Sequence, residues 1–523
     1  MKRSHLADFK PLAVGFVLAC GPSDGRDSDA FPTTGSAGPT TNDPTGEDNG
    51  VEGTGVSPST TDSGMSGEAE SGMGSGMDST TGMADSDEGT TTIKFDQSNM
   101  TTTTGSSCGD LQCPAKIDLL FVIDNSGSMG EEQLNLAKNF PLLIDRLKGL
   151  KDSSGNPANA DINIMVTTTD FGNPQCTPFQ THPPEKGAPI NTGCNARIGR
   201  FTGLGMAPET HPEACTDVCP TDVVPMDPHL HFDASGASNV VGGGDPADAL
   251  SCIGPQGIDG CGYESQLECM LQALNPGKPW NTSATPFLRD DAKILGVVQV
   301  TDEEDCSIQN FSVMSNATFM EPDPSDGNAL KPSSAICWNA GTTCTGPDAN
   351  GVYSSCVGDD HGMMQPLSRY IDYLLSLNSG ERKVIMLGIL GVPEVTEHNP
   401  DPPYQPTAGG VLSLVYRDWK DGAYPAGDIL PSEAPGTTAA HKSFSFGIGP
   451  GCTGEDGMGG FTGQAIPPVR IKEVCEALNI EDDPATLADE TSIRCCIESI
   501  CSQDFSPAVE CLAGILEKEL PAG

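Results

Sequence analysis

Three apolar runs constrain this chain more than any other feature: IDLLFVI from Ile117 to Ile123, ILGVVQV from Ile294 to Val300, and VIMLGIL from Val384 to Leu390. Each is too short to cross a membrane and too uniformly apolar for a strand with one wet face. They are therefore expected to be strands buried on both sides, as in a parallel sheet covered by helices. Ile162, Ile164 and Val166 alternate with polar residues and predict a fourth, more one-sided strand. Helical spacing fills the intervals. Leu134, Ala137, Phe140, Ile144 and Leu147 form one face, with Pro141 as an expected kink and Gly149 as the stop. Leu267, Met270, Leu271 and Leu274 form a second, Leu367, Tyr370, Ile371 and Leu374 a third, and a last helix is expected from about Pro507 to Glu519.

Two stretches break this rhythm. Residues 171–262 and 306–363 are rich in Pro, Gly and Cys and too long for ordinary α/β connections. They read as disulfide-stapled insertions: Cys176, Cys194, Cys215, Cys219, Cys252 and Cys261 make one even set, and Cys306, Cys337, Cys344 and Cys356 another. The chain holds 20 cysteines with no zinc-ribbon spacing, which points to an oxidising compartment. Adjacent Cys495 and Cys496 are expected to bond to separate partners.

The N-terminus supplies an address. MKRSHLADFKPLAVGFVLAC has basic residues, a short apolar run and then Cys20, the pattern of a signal peptide over residues 1–19. Val17-Leu18-Ala19-Cys20 is similar to a bacterial lipobox, which implies a diacylated Cys20. Gly21 in place of Asp favours the outer membrane, on its periplasmic or surface side. Removing Cys20 leaves nineteen cysteines, so at least one further thiol is expected to be unpaired within the chain. Residues 20–107 read as an acidic, disordered tether, with fourteen acids and only Arg26 as a base between Gly21 and Thr90. A coil of that length spans about 50 Å. Gly-Met pairs ending at Met65, Met73, Met77 and Met83 have irregular spacing and no accompanying His, which argues against copper.

Lys and Arg number 27 against 72 Asp and Glu, a net charge of −45 that excludes nucleic acid as a partner and leaves lipid as the only expected membrane contact. Chemistry is instead concentrated after the first strand, at Asp124-Asn125-Ser126-Gly127-Ser128. Ligands of open α/β sheets gather at the carboxyl ends of strands, and a carboxylate with two hydroxyls suits a hard cation, Mg²⁺ or Mn²⁺ with Ca²⁺ as a third candidate. His229-Leu230-His231 offers imidazoles but no partnering acid motif for zinc. Glu303, Glu304 and Asp305 read as solvated loop charges, and Cys306 as a disulfide brace for that loop.

FVIDNSGSMGEEQ and FLRDDAKILGVVQVTDEEDCS together resemble a von Willebrand factor type A domain, and the wider chain is similar to cysteine-rich, acid-tethered lipoproteins of myxobacteria. The resemblance covers roughly residues 110–520, the two insertions excepted. It implies a doubly wound, mostly parallel sheet over 108–523 and a metal-ion-dependent adhesion site. Its ligands would be Asp124, Ser126, Ser128 and, from the loop after a later strand, Asp302. The family's Thr ligand has no match. Gly260-Cys261-Gly262-Tyr263-Glu264-Ser265 offers Ser265 or Glu264 in its place, and Ser265 is preferred on its chemistry. With Ser265 the cation keeps positive charge and attracts a partner carboxylate, whereas with Glu264 three carboxylates leave a net negative site. Phosphate-loop and HExxH spellings do not occur, so a binding module, not an enzyme, is expected, with an acidic side chain of another protein as its ligand.

Overall fold

The computed structural model describes residues 114–204, 208–378, 381–481 and 491–522. The signal peptide, Cys20 and the tether lie outside the described residues. Six strands form the main sheet: β1 (Lys116–Ile123), β2 (Asp161–Thr168), β3 (Leu230–Asp233), β4 (Ile294–Val300), β5 (Lys383–Leu390) and β6 (Cys495–Ser499). Their order across the sheet is β6-β5-β4-β1-β2-β3, parallel throughout except for β3, which runs antiparallel to β2. This is a mixed α/β architecture on a mostly parallel sheet. Among the described residues, four separate two-stranded ribbons decorate it.

The uniformly apolar strands are explained by what covers them. Along β1, Leu119, Phe121 and Ile123 face α1 (Gly130–Lys148), α2 (Pro246–Ile253) and α6 (Ser506–Glu519), while Leu120 and Val122 face α3 (Gln266–Ala273), α4 (Ser368–Leu377) and α5 (Val469–Glu476). Phe121 meets Phe140 of α1 edge-on at 6.0 Å. Gly296 lets β4 approach β1, since a Cβ there would lie 2.6 Å from Leu119. α1 continues through Pro141 and ends at Gly149. Among the described residues no helix is long and apolar enough to cross a membrane.

Three expectations are corrected. β2 is buried on both faces, not one, because its polar residues are satisfied internally: Asn163 donates to the Phe287 carbonyl at 3.2 Å and Thr167 to the Ala188 carbonyl at 2.8 Å. The segment 171–262 is more than an insertion, since it supplies β3 at the sheet edge and α2 against α1. β6, CCIES, was not anticipated as a strand at all, and all five of its residues are buried.

The cysteines pair within the expected sets. Cys176–Cys261, Cys194–Cys215 and Cys219–Cys252 staple the first segment, and Cys306–Cys337 and Cys344–Cys356 the second. Cys495 bonds to Cys475 and Cys496 to Cys511, and Cys452–Cys501 is the remaining bridge among the described residues. Among the described residues Cys269 is the free thiol, and it is buried. At the amino ends of the strands, Arg289 clamps β1 to β2 by donating to Asp118 at 2.7 Å, to Asp161, and to the carbonyls of both strands. Burial raises the Asp118 pKa to about 6 against the opposing pull of Arg289.

Candidate metal centre

Register brings the site together. Ile123 lies opposite Thr168 on one side and Val300 on the other, so the next residues, Asp124, Thr169 and Thr301, leave three adjacent strands side by side. The Asp124 N–H still bonds to the Val300 carbonyl at 2.9 Å. Its carboxylate then accepts from the Ser126 N–H at 2.8 Å, from the Thr169 hydroxyl at 3.4 Å, and from the Thr301 hydroxyl. Ser126 and Ser128 place their hydroxyl oxygens 3.4 Å apart in the same loop. Asp124 is fully buried, and burial, followed by the nearby Asp302 carboxylate, raises its pKa to about 7.

The acidic loop after β4 was expected to be solvated, and most of it is buried. Glu304 is 3% exposed and Asp305 fully buried, because each caps a helix that lies far away in sequence. Glu304 accepts from the backbone of Val469 and Arg470 at the start of α5, and Asp305 from the Leu267 N–H of α3 at 3.1 Å and the Ser307 hydroxyl at 2.6 Å. Burial drives Glu304 up to about 8, with Arg470 opposing the rise. Arg470 pairs with Asp305 at 3.1 Å, both side chains wholly enclosed. The Ile466 N–H donates to the Asp302 carbonyl at 2.7 Å, and the Cys306–Cys337 bridge follows immediately. Asp302 is thus presented beside Asp124 from a loop anchored on both sides.

A third segment closes over this pair. Gly260 donates to the Asn125 carbonyl at 2.8 Å and leaves no room for a side chain, since a Cβ would lie 2.5 Å from the Asn125 side chain. Gln133 of α1 donates to the carbonyls of Asp124 and Gly257 at 2.8 and 2.7 Å and accepts from the Gln256 N–H at 2.7 Å. Of the two residues proposed for the missing Thr, Ser265 turns its hydroxyl to the Cys306 carbonyl at 3.0 Å, while its N–H bonds to the Thr169 carbonyl at 2.9 Å. Glu264 is fully buried, and the negative charges of Glu303 and Asp124 act on its carboxylate. Burial and these two charges hold its pKa well above the ordinary range.

The donor set fits a hard cation. Carboxylates and hydroxyls converge, no sulfur or imidazole is among them, and the largest influences on Asp124 and Glu264 are burial and other carboxylates, not Lys or Arg. Thr169 and Thr301 were missed by sequence reasoning, although each is the first residue past a strand end. The histidines go elsewhere: His231 bonds to Asp161 at 3.0 Å, and His229 is buried beside Phe287, with burial lowering its pKa to about 4. Among the described residues, the groups of three His, Cys, Asp or Glu whose ligand atoms lie within 4.8 Å of one another are Cys194 with Cys219 and Asp222, and Cys496 with Glu498 and Cys511; Asp124, Asp302 and Glu264 do not form one. The sulfurs of both groups are all in disulfides and offer no thiolate. No family model matches the chain, and no curated protein matches it.

Proposed function

We propose that residues 108–523 form a doubly wound, von Willebrand factor type A-like domain that binds a divalent cation, Mg²⁺ or Mn²⁺ with Ca²⁺ as a third candidate, and recognises another protein through it. The carrying observation is the convergence of three adjacent strand ends on Asp124, with the Asp302 carboxylate alongside raising its charge burden and Thr301 and Ser126 donating to it. Asp124, Ser126, Ser128 and Asp302 would hold the ion, Thr169 and Thr301 fixing the Asp124 carboxylate through their hydroxyls. A bound dication supplies Lewis acidity and exchanges a water for an anionic oxygen, which suits an acidic side chain of a partner. The chain's net charge of −45 would repel such a partner elsewhere, giving orientation at this point. Lipid attachment at Cys20 and an outer-membrane address complete the reading, and no catalytic role is assigned.

Calorimetric titration with Mn²⁺ is expected to show binding to the wild type and none to Asp124→Ala, with unchanged far-UV circular dichroism. Mn²⁺ binding that survives Asp124→Ala rejects the site. Capture of envelope proteins with and without EDTA then tests recognition. A second reading, in which the cation serves only the fold, is favoured by one observation: Asp124, Ser126 and Asp302 are at most 4% exposed.

A further inference from the structure

Both ring nitrogens of His182, on the loop that follows β2, face acceptors. Nε2 lies 3.0 Å from the Asp259 carboxylate, and Nδ1 lies 3.1 Å from the Pro183 carbonyl and 3.6 Å from the Glu185 carboxylate. A neutral imidazole carries one N–H and would turn a lone pair towards oxygen at its other nitrogen, whereas the imidazolium donates on both sides. The His182 and Asp259 side chains are 10% and 1% exposed, so water does little to replace a missing donor.

The ring holds the segment that closes over Asp124. Asp259 also accepts from the Thr181 hydroxyl at 2.7 Å, and the next residue, Gly260, donates to the Asn125 carbonyl inside the metal loop. Upstream, the segment is lashed to the 3₁₀ helix Cys194–Phe201. Arg197 donates to the Pro255 and Gln256 carbonyls at 2.9 and 3.2 Å, and the Ile258 N–H to the Arg200 carbonyl at 2.7 Å. The Arg200 guanidinium in turn pairs with Glu185 at 2.6 Å, and Cys176–Cys261 ties the downstream end to the loop of His182. Among the described residues, the charged groups acting around the ring are Asp259, Glu185 and Arg200, with Asp170 beyond them. Burial lowers the His182 pKa, but the bond to Asp259 and the charges of Asp259 and Glu185 outweigh burial and Arg200, leaving it above the ordinary 6.5.

Resting on the cation-binding reading above, we propose that His182 is a pH-sensitive latch on the Asp124 site: as imidazolium it bridges Asp259 and Glu185 and keeps residues 255–261 closed over the metal loop, and loss of its proton lets Gly260 part from Asn125. The closed form holds the proton more tightly than a loosened one. The latch is therefore at full strength below about pH 6.5 and weakens as pH rises through the His182 pKa. Closed, the segment leaves Asp124, Ser126 and Asp302 at most 4% exposed, so its loosening is what admits an ion or a partner oxygen from outside.

The test uses the full chain, with hydrogen exchange at Gly260 as the readout of the segment and Mn²⁺ as the probe of the site. In the wild type, Gly260 protection, corrected for the intrinsic rise of exchange with pH, should fall roughly 10-fold or more between pH 6 and pH 9, the weaker end of what a hydrogen bond to a charged group contributes. His182→Gln keeps one donor and has nothing to titrate, so its protection should be low at pH 6 and flat across the range. The His182 ring, followed by NMR, should titrate above 6.5, and Asp259→Asn should bring it down. At pH 6 Mn²⁺ should enter His182→Gln faster than the wild type, and the gap should narrow at pH 8.5; comparing the two proteins at one pH cancels the titration of Asp124. A ring pKa at or below 6.5, or the same pH course of Gly260 protection in both proteins, overturns the latch. Should His182→Gln not fold, the ring titration and the wild-type exchange profile decide. No Mn²⁺ response in the wild type, with exchange and titration as expected, overturns the cation reading and confines the latch to the segment itself.

Discussion

Replacing Arg470 by Met tests whether the loop presenting Asp302 is held by a buried charge. Arg470 and Asp305 are both wholly enclosed, and the guanidinium also donates to the carbonyls of Asp359 at 2.7 Å and Gln365 at 2.6 Å. Methionine fills similar space but leaves Asp305 with only its Leu267 and Ser307 donors and strips both carbonyls. Breaking one side of a buried pair costs about 3 to 5 kcal/mol, and each orphaned carbonyl about 1 to 3. These losses share one relaxing segment and do not add, so about 4 to 6 kcal/mol is expected, against a total stability of about 5 to 15. Asp305→Asn in the Met background removes the stranded charge and should recover about 1 to 3 kcal/mol. Urea unfolding with disulfides intact reads both, through buried Trp338 and Trp419. Arg146→Met is the control, because its pair with Glu510 at 2.9 Å is 30% and 40% exposed and such pairs contribute about 0 to 1 kcal/mol. Mn²⁺ affinity should fall with Arg470→Met as the Asp302 loop loosens. A loss below about 1 kcal/mol, or a double variant no more stable than the single one, would show that this pair does not position the loop.

Three further outcomes are expected. Asp118 has a folded pKa of about 6 against 3.8, so its contribution to stability is fully present below about pH 4 and is lost as pH rises through 6. At about 1.4 kcal/mol per unit the loss is at most about 3 kcal/mol. Urea midpoints at pH 4.5 and 7.5 should differ less in Asp118→Asn than in the wild type, and equal differences refute the assignment. The Cys176–Cys261 bridge closes a loop of separation 85, so the Cys176→Ser/Cys261→Ser variant should lose about 4 to 5 kcal/mol in the chain-entropy view. Amide exchange at Gly260 should accelerate in that variant, and unchanged protection there would mean that Gln133 and Asn125 alone hold the segment. Cys20→Ala should move the protein from the membrane to the soluble fraction, and continued membrane association without labelled palmitate rejects the lipid anchor.

Much of the sheet was legible because strands buried on both faces carry no alternation to misread. IDLLFVI, ILGVVQV and VIMLGIL lie within β1, β4 and β5 to within a residue. β2 and β6 were harder for one shared reason: polar residues that find partners inside look like surface. Asn163 and Thr167 meet carbonyls, Cys495 and Cys496 are bridged, and Glu498 meets His398 at 2.8 Å. The same effect hid the helix-capping roles of Glu304 and Asp305, whose donors lie on helices that no local window contains. Within the site the division follows the backbone. Asp124 extends a strand, so its place is set by register, and Thr169 and Thr301 could have been found by extending β2 and β4 one residue each. Glu264 and Ser265 sit in a stapled loop with no period, where one residue of slip exchanges a hydroxyl for a carboxylate. There the direction of the side chains is decided by long-range bonds, Ser265 to the Cys306 carbonyl and Cys306 back to the Glu264 carbonyl, which turn the serine hydroxyl away from the site and hold the buried Glu264 beside Glu303. A sequence can therefore show that a charged or a neutral side chain is on offer at such a turn, while the direction each takes is decided by the fold.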